Sequence, residues 1–166
     1  MTNNDVVTMM NSGIMAISSR ALPLNFAYEV TKFKGFIDKA YKAWDEAFQK
    51  LPAENEIPDG KAFDKRLNEL REKESKKEEM TQAEIKELAD LDAKFDRLVA
   101  MRKKLNDEEV KVSSKPMPYE TWIELKEANK GIKVGNAECL ELVESKLEGI
   151  LWKAPEEEEM AQAEQK

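Results

Sequence analysis

Apolar side chains recur by fours and threes along one stretch of the chain: Phe26, Val30, Phe33, Ile37, Ala40, Trp44, Ala47 and Leu51. Residues three and four apart share a helix face, so the spacing predicts a heptad-patterned helix. Pro23 and Asn25 stand where it would start, and Pro52 where it would stop. That gives about 25 residues and roughly 38 Å. Tyr41 and Phe48 widen the apolar face beyond a strict seam, which favours packing into a bundle over a bare two-stranded coil.

Weaker patterns flank this helix. Val6, Val7, Met10, Ile14 and Ile17 give residues 1–21 the look of a short, imperfect helix. Pro52, Pro58, Asp59 and Gly60 predict a loop. A second helix follows near Lys61, with Phe63, Leu67 and Leu70 on its buried side, and its end from Arg71 to Glu79 has no apolar residue. Thr81-Gln82-Ala83-Glu84 reads as a capping box that opens a third helix bearing Leu88, Leu91, Phe95, Leu98 and Leu105. The second and third helices should form an antiparallel or bent pair.

Beyond Asn106 the period shortens. Val110-Lys111-Val112-Ser113 alternates, and Ile132-Lys133-Val134 offers a matching segment, so two short strands are expected to pair. Between them, Tyr119 to Asn129 predicts a short helix with Gly131 as its C-terminal cap. Asn136 would cap a last helix carrying Leu140, Val143, Leu147, Ile150 and Leu151. The fold class is therefore mainly α: a helical bundle with one long heptad-patterned helix and a small two-stranded element near the C-terminus. The expected organisation is a bundle over 1–107, a compact subdomain over 108–153, and a disordered acidic tail over 154–166.

Composition narrows the chemistry. Of 166 residues, 37% are charged and only six are glycine and six proline, which suits long solvated helices. The net charge is −7, but residues 154–166 hold five glutamates against one lysine, leaving the body with 29 acids and 26 bases. So balanced a body has no basic excess with which to displace counterions, and nucleic acid is not an expected partner. Histidine is absent and Cys139 is the single cysteine. This removes the usual general base, the usual zinc ligands and any intrachain disulfide. Isolated Gly131 and Gly135 make no phosphate loop. No apolar run reaches the ~20 residues of a membrane span, and no basic region precedes Val6 to mark a secretion signal. The expectation is a cytoplasmic, non-enzymatic protein without catalytic residues, metal or cofactor.

What is left is binding. Tyr119 and Trp122 follow a proline-containing loop and are candidate interface anchors, weighed against the simpler reading that they belong to the core. Lys32, Lys34, Lys39 and Lys42 crowd the long helix and are candidates for holding an anionic ligand or partner, weighed against an ordinary solvated face. The long amphipathic helices also suit a homo-oligomer.

The segment Leu22-Pro23-Leu24-Asn25-Phe26-Ala27-Tyr28-Glu29-Val30, followed by a charged helix with Tyr41, Phe48 and Leu51, resembles the opening of certain small tailed-bacteriophage proteins of unknown function. The layout of a compact C-terminal part with two short strands and a closing leucine-rich helix is similar too. The charged stretch from Glu72 to Glu87 departs from that pattern. The resemblance implies a phage or prophage origin and supplies no site residues. The expected function is a phage-type accessory protein that binds a host or phage protein, with inhibition of that protein as one form the binding could take. The alternatives are an oligomeric sponge for an anionic small molecule such as a signalling nucleotide, and a virion or assembly component.

Overall fold

The computed structural model describes residues 1–154. The predicted acidic tail lies almost wholly outside the described residues. In chain order the elements are α1 (Asn3–Asn11), a 3₁₀ turn (Ile14–Ala16), α2 (Leu24–Glu54), α3 (Gly60–Ser75), α4 (Gln82–Asp107), α5 (Tyr119–Ala128), β1 (Lys133–Val134), β2 (Ala137–Glu138) and α6 (Cys139–Leu147). The protein is mainly helical, with a small antiparallel two-stranded sheet near the C-terminus.

The chain forms two compact units, and their boundary differs from the one expected. The first unit joins Met1–Lys42 to the chain from Glu109 onward, and the second is Ala43–Glu108. Only the division near 108 coincides with the expected one. The first unit is discontinuous because segments far apart in sequence satisfy each other's polar groups. Asn129 is the clearest case: its amide Oδ1 accepts from the Ser18 N–H at 2.5 Å, while Nδ2 donates to the carbonyls of Ser18 and Leu125, both at 2.8 Å. Thr2 caps α1 in a reciprocal box with Asp5, and Asp5 in turn pairs with Lys146 of α6. Around these ties, Val6 and Met9 of α1, Val30, Phe33 and Ile37 of α2, Trp122 and Leu125 of α5, and Val143 and Leu147 of α6 share one buried core.

The strand pairing departs from expectation. Lys133 pairs with Glu138 and Val134 with Ala137, so the hairpin is local. Gly135, at φ +61°, takes the left-handed position that a two-residue turn needs. Closing a two-residue loop costs far less entropy than recruiting Val110–Ser113 from a distant part of the chain. Val110 instead donates its N–H to the Met1 carbonyl at 2.8 Å, and Val110 and Val112 pack as half-buried residues against the core. The turn also removes Asn136 from the helix-capping role: α6 opens at Cys139 with Glu138 as its N-cap residue, and it ends at Leu147, before Ile150 and Leu151.

The long helix is longer than its pattern suggests. α2 has 31 residues and carries Pro52 inside its last turn. A proline there forfeits its own N–H donor, and the bonds around it continue. Asn55 donates its N–H to the Leu51 and Pro52 carbonyls, Ile57 donates to Pro52 at 2.8 Å, and the Asn55 side chain donates to Leu51 at 2.8 Å.

The second unit consists of the end of α2, α3 and α4. The capping box at Thr81 and Glu84 forms as read from the sequence. Trp44 Nε1 donates to Asn106 Oδ1 at 2.9 Å, tying the end of α2 to the end of α4. Further along α4, Arg66 of α3 grips Glu87 through Nε and Nη2 at 2.8 and 2.6 Å, and Lys73 reaches Glu84 at 2.6 Å. Two small apolar clusters fill the space: Leu51, Ile57 and Leu98 in one, Leu67, Leu70 and Leu88 in the other.

Candidate functional site

Successive residues advance about 100° around a helix, so the part of α2 in the first unit can be sorted by face. Phe26, Val30, Phe33 and Ile37 form the inner stripe, of which Val30, Phe33 and Ile37 are fully buried. Leu24 and Tyr28 stand about 200° away from Phe26 and Val30, on the opposite side. They are correspondingly bare: Leu24 is 87% exposed and Tyr28 64%. With Asn25, Phe26, Glu29 and Lys115 they line a cleft of about 570 Å³. The wall opposite the helix is fixed where the Lys115 N–H donates to Glu29 Oε2 at 3.1 Å.

The same outer stripe continues through Thr31, Gly35, Lys39 and Lys42, all exposed. Gly35 is out of place there. A glycine inside a helix costs roughly 1 kcal/mol relative to alanine. A Cβ built on Gly35 meets nothing within 4 Å, so no contact inside the chain calls for its absence. Lys32 and Lys39 edge this stripe and Lys42 ends it. Lys32 approaches Glu29 at 3.7 Å and Lys42 pairs with Asp38 at 2.7 Å. Lys34 is different: it projects from the flank of the helix and donates to the Ile17 carbonyl at 2.9 Å, a structural tie. The four lysines therefore do not converge on a point, although three of them share the face that carries Tyr28.

The aromatic candidates sit elsewhere. Trp122 has no exposed surface, and its ring stacks on Trp152 with centroids 5.9 Å apart. Its Nε1 donates to Glu144 Oε1 at 2.8 Å, so its polar edge is satisfied inside the unit. Trp122 therefore belongs to the core and not to an interface: a fully buried indole has nothing to offer a partner. Tyr119 is half-buried against Trp152, with ring centroids 5.5 Å apart. Glu144 organises this corner. Burial pushes its carboxyl up, but the hydrogen bonds from Trp122 and Lys126 outweigh that and hold it below the ordinary range. Lys126, bonded to Glu144 at 2.9 Å, is held above its own ordinary value by that bond.

Cys139 is buried, and burial raises its thiol pKa, offset in part by a hydrogen bond with Ser12. A thiol held in the neutral form is a poor nucleophile. Among the described residues no group of three or more carboxylates and cysteine is placed to hold a metal ion, and no helix is long and apolar enough to cross a membrane.

The sequence singles out the lysines of the outer stripe but gives no prominence to Leu24, Tyr28 and Gly35. A signal is nevertheless present: between Leu22 and Val30 apolar residues fall on both faces of the helix, and only one face can enter the core. No known family, curated protein or solved structure matches this chain.

Proposed function

We propose that this is a non-enzymatic binding protein that docks a protein partner on the solvent face of α2, from Leu24 to Lys42. The observation that carries the reading is the pairing of two exposed apolar anchors, Leu24 and Tyr28, with a helix-interior glycine, Gly35, on the same stripe. Tyrosines concentrate binding energy when a partner desolvates them. A glycine lets a partner's backbone come close. Lys32, Lys39 and Lys42 along the same face favour a partner with acidic groups beside its apolar contact, through electrostatic complementarity. The rest of the first unit backs the helix with a packed core, so the face is presented with little ordering cost on binding.

The resemblance of Leu22–Val30 to small tailed-phage proteins supports a finer reading: a phage-type accessory protein that binds a host or phage protein in the bacterial cytoplasm and blocks its action. The test is affinity capture from bacterial lysate with mass spectrometry, run in parallel on wild type and Tyr28→Ala. One stoichiometric protein retained by wild type and lost with Tyr28→Ala, at unchanged circular dichroism, supports the proposal. A partner retained equally by both proteins refutes the assignment of this face.

A further inference from the structure

A second surface lies in the second unit and points to a different occupant. The end of α2 and the end of α4 leave an open groove of about 420 Å³, floored by Ala43, Ala47, Leu51, Met101 and Leu105. Alanines at positions four apart let another helix approach closely, since interaxial distance follows side-chain size at the contact. Charged residues line it as well: Glu46 at one edge of α2, Lys50 and Glu54 on the same stripe as the alanines, Lys104 on α4, and Glu108 just past the end of α4. The Trp44–Asn106 bond sets an antiparallel register, and in that register Glu46 stands level with Lys104. Within one residue of the same count, Glu54 stands level with Arg97, which lies seven residues before Lys104 on the same stripe of α4.

We infer that this groove is the interface of a symmetric dimer, with the same groove of a second copy of the chain as its occupant. A two-fold axis parallel to the helices places α2 of one copy across from α4 of the other at the same level. Glu46 then faces the second copy's Lys104, and Glu54 its Arg97, each pair occurring twice because a two-fold interface is isologous. The two apolar floors close on each other as a four-helix bundle. The pairs Glu46–Lys104 and Glu54–Arg97 are complementary under this operation, and that favours a second copy over other helical occupants.

The experiment is size-exclusion chromatography with light scattering on wild type, on Glu46→Lys and on Lys104→Glu, each alone and then the two variants mixed in equal amounts. Wild type is expected at twice the 19.0 kDa chain mass. Each variant alone turns two attractions into repulsions and should weaken the dimer by about tenfold or more, since like charges are brought together at the interface. The mixture should recover the dimer. There the lysine introduced by Glu46→Lys in one chain meets the glutamate introduced by Lys104→Glu in the other, and the remaining pair keeps its native opposite charges. Circular dichroism of the variants controls for folding, and recovery on mixing is in any case something a misfolded chain would not show. A monomeric wild type, variants that stay dimeric, or a mixture that stays monomeric each overturns the inference.

Discussion

Among the described residues, the unit built from Met1–Lys42 and the chain beyond Glu109 buries seventeen apolar side chains in one cluster, whereas Ala43–Glu108 buries six, split between two. Both are helical, yet they are held differently. The first unit ties distant segments through a shared core and through polar groups such as the buried Asn129 and the half-buried Glu144. In the second, each helix has one inner stripe and a wide solvated face. Its links between α3 and α4 are ion pairs with solvent access: Arg66–Glu87, Arg71–Asp92 and Lys73–Glu84. Arg71 and Arg102 also lie over the rings of Phe95 and Phe48, at 5.1 and 4.9 Å. Solvent screens pairs of this kind and side-chain entropy opposes them, so they align α3 and α4 more than they stabilise them. The contrast teaches that helix content and stability are separate: a charged helical pair can be fully formed and still be the first part to open.

The sharpest way to break this comparison is to cut into the larger core. Trp122→Ala should cost about 3–5 kcal/mol, because it empties a large fully buried volume and takes from Glu144 one of its donors. Denaturant unfolding would show it, and amide exchange should rise in α5 and α6. Leu70→Ala removes a fully buried side chain from the thinner unit and should cost about 2–3 kcal/mol, the low end of the range for such truncations, since a shallow site can collapse around the loss. If Leu70→Ala costs as much as Trp122→Ala, the two units are not an unequal pair.

Acid should separate them next. Glu144 and Asp5 both have carboxyls held below their ordinary values of 4.5 and 3.8. For Asp5, burial acts upward, but the bonds from Lys146 and Thr2 prevail. A group depressed on folding binds fewer protons in the folded state, so its stabilisation is complete above the unfolded pKa and is lost as pH falls through the folded one. The first unit should therefore hold its stability from neutral pH down to about 4.5 and lose it below, and Glu144→Gln should flatten that slope. In the second unit Glu84 is held down to about 2 by Lys73 and the Thr81 N–H, but Lys73 is 40% exposed and solvent screens the pair, so its protonation should move stability little. Following near-ultraviolet circular dichroism and α3 amide exchange against pH distinguishes the two.

The smallest expected effect is a gain. Gly35→Ala should raise stability by about 0.5–1 kcal/mol, through helix propensity alone, because the added methyl meets open space. Thermal unfolding measures it, and a loss of stability would mean that Gly35 serves a contact within the chain.

Legibility follows sequence distance. The Thr81–Glu84 capping box and the seam of α2 are readable because their physics is local: a side chain reaching three residues, or a face repeating every turn. Pro52 misleads because its cost depends on whether the helix has other donors nearby, and Asn55 supplies one. The pairing of Val110–Ser113 is misleading in another way, since alternation marks a segment fit for a strand without naming its partner. The discontinuous first unit cannot be read at all, because the meeting of Ser18 with Asn129, or of Asp5 with Lys146, leaves no periodic trace. In the candidate site the lysines are visible as a charge run, but their arrangement is not. Leu24, Tyr28 and Gly35 become informative only once the inner stripe of α2 is known to be buried, because an apolar residue says little until the core is seen to lie on the other side.

The most direct test of the proposed docking face sets stability against binding at one position. Gly35→Leu replaces the glycine with a good helix former that projects from the outer stripe. Its melting temperature should be at or above that of wild type while capture of the partner is lost. Capture retained at wild-type strength by this more stable protein would mean that the face it blocks is not the one that binds.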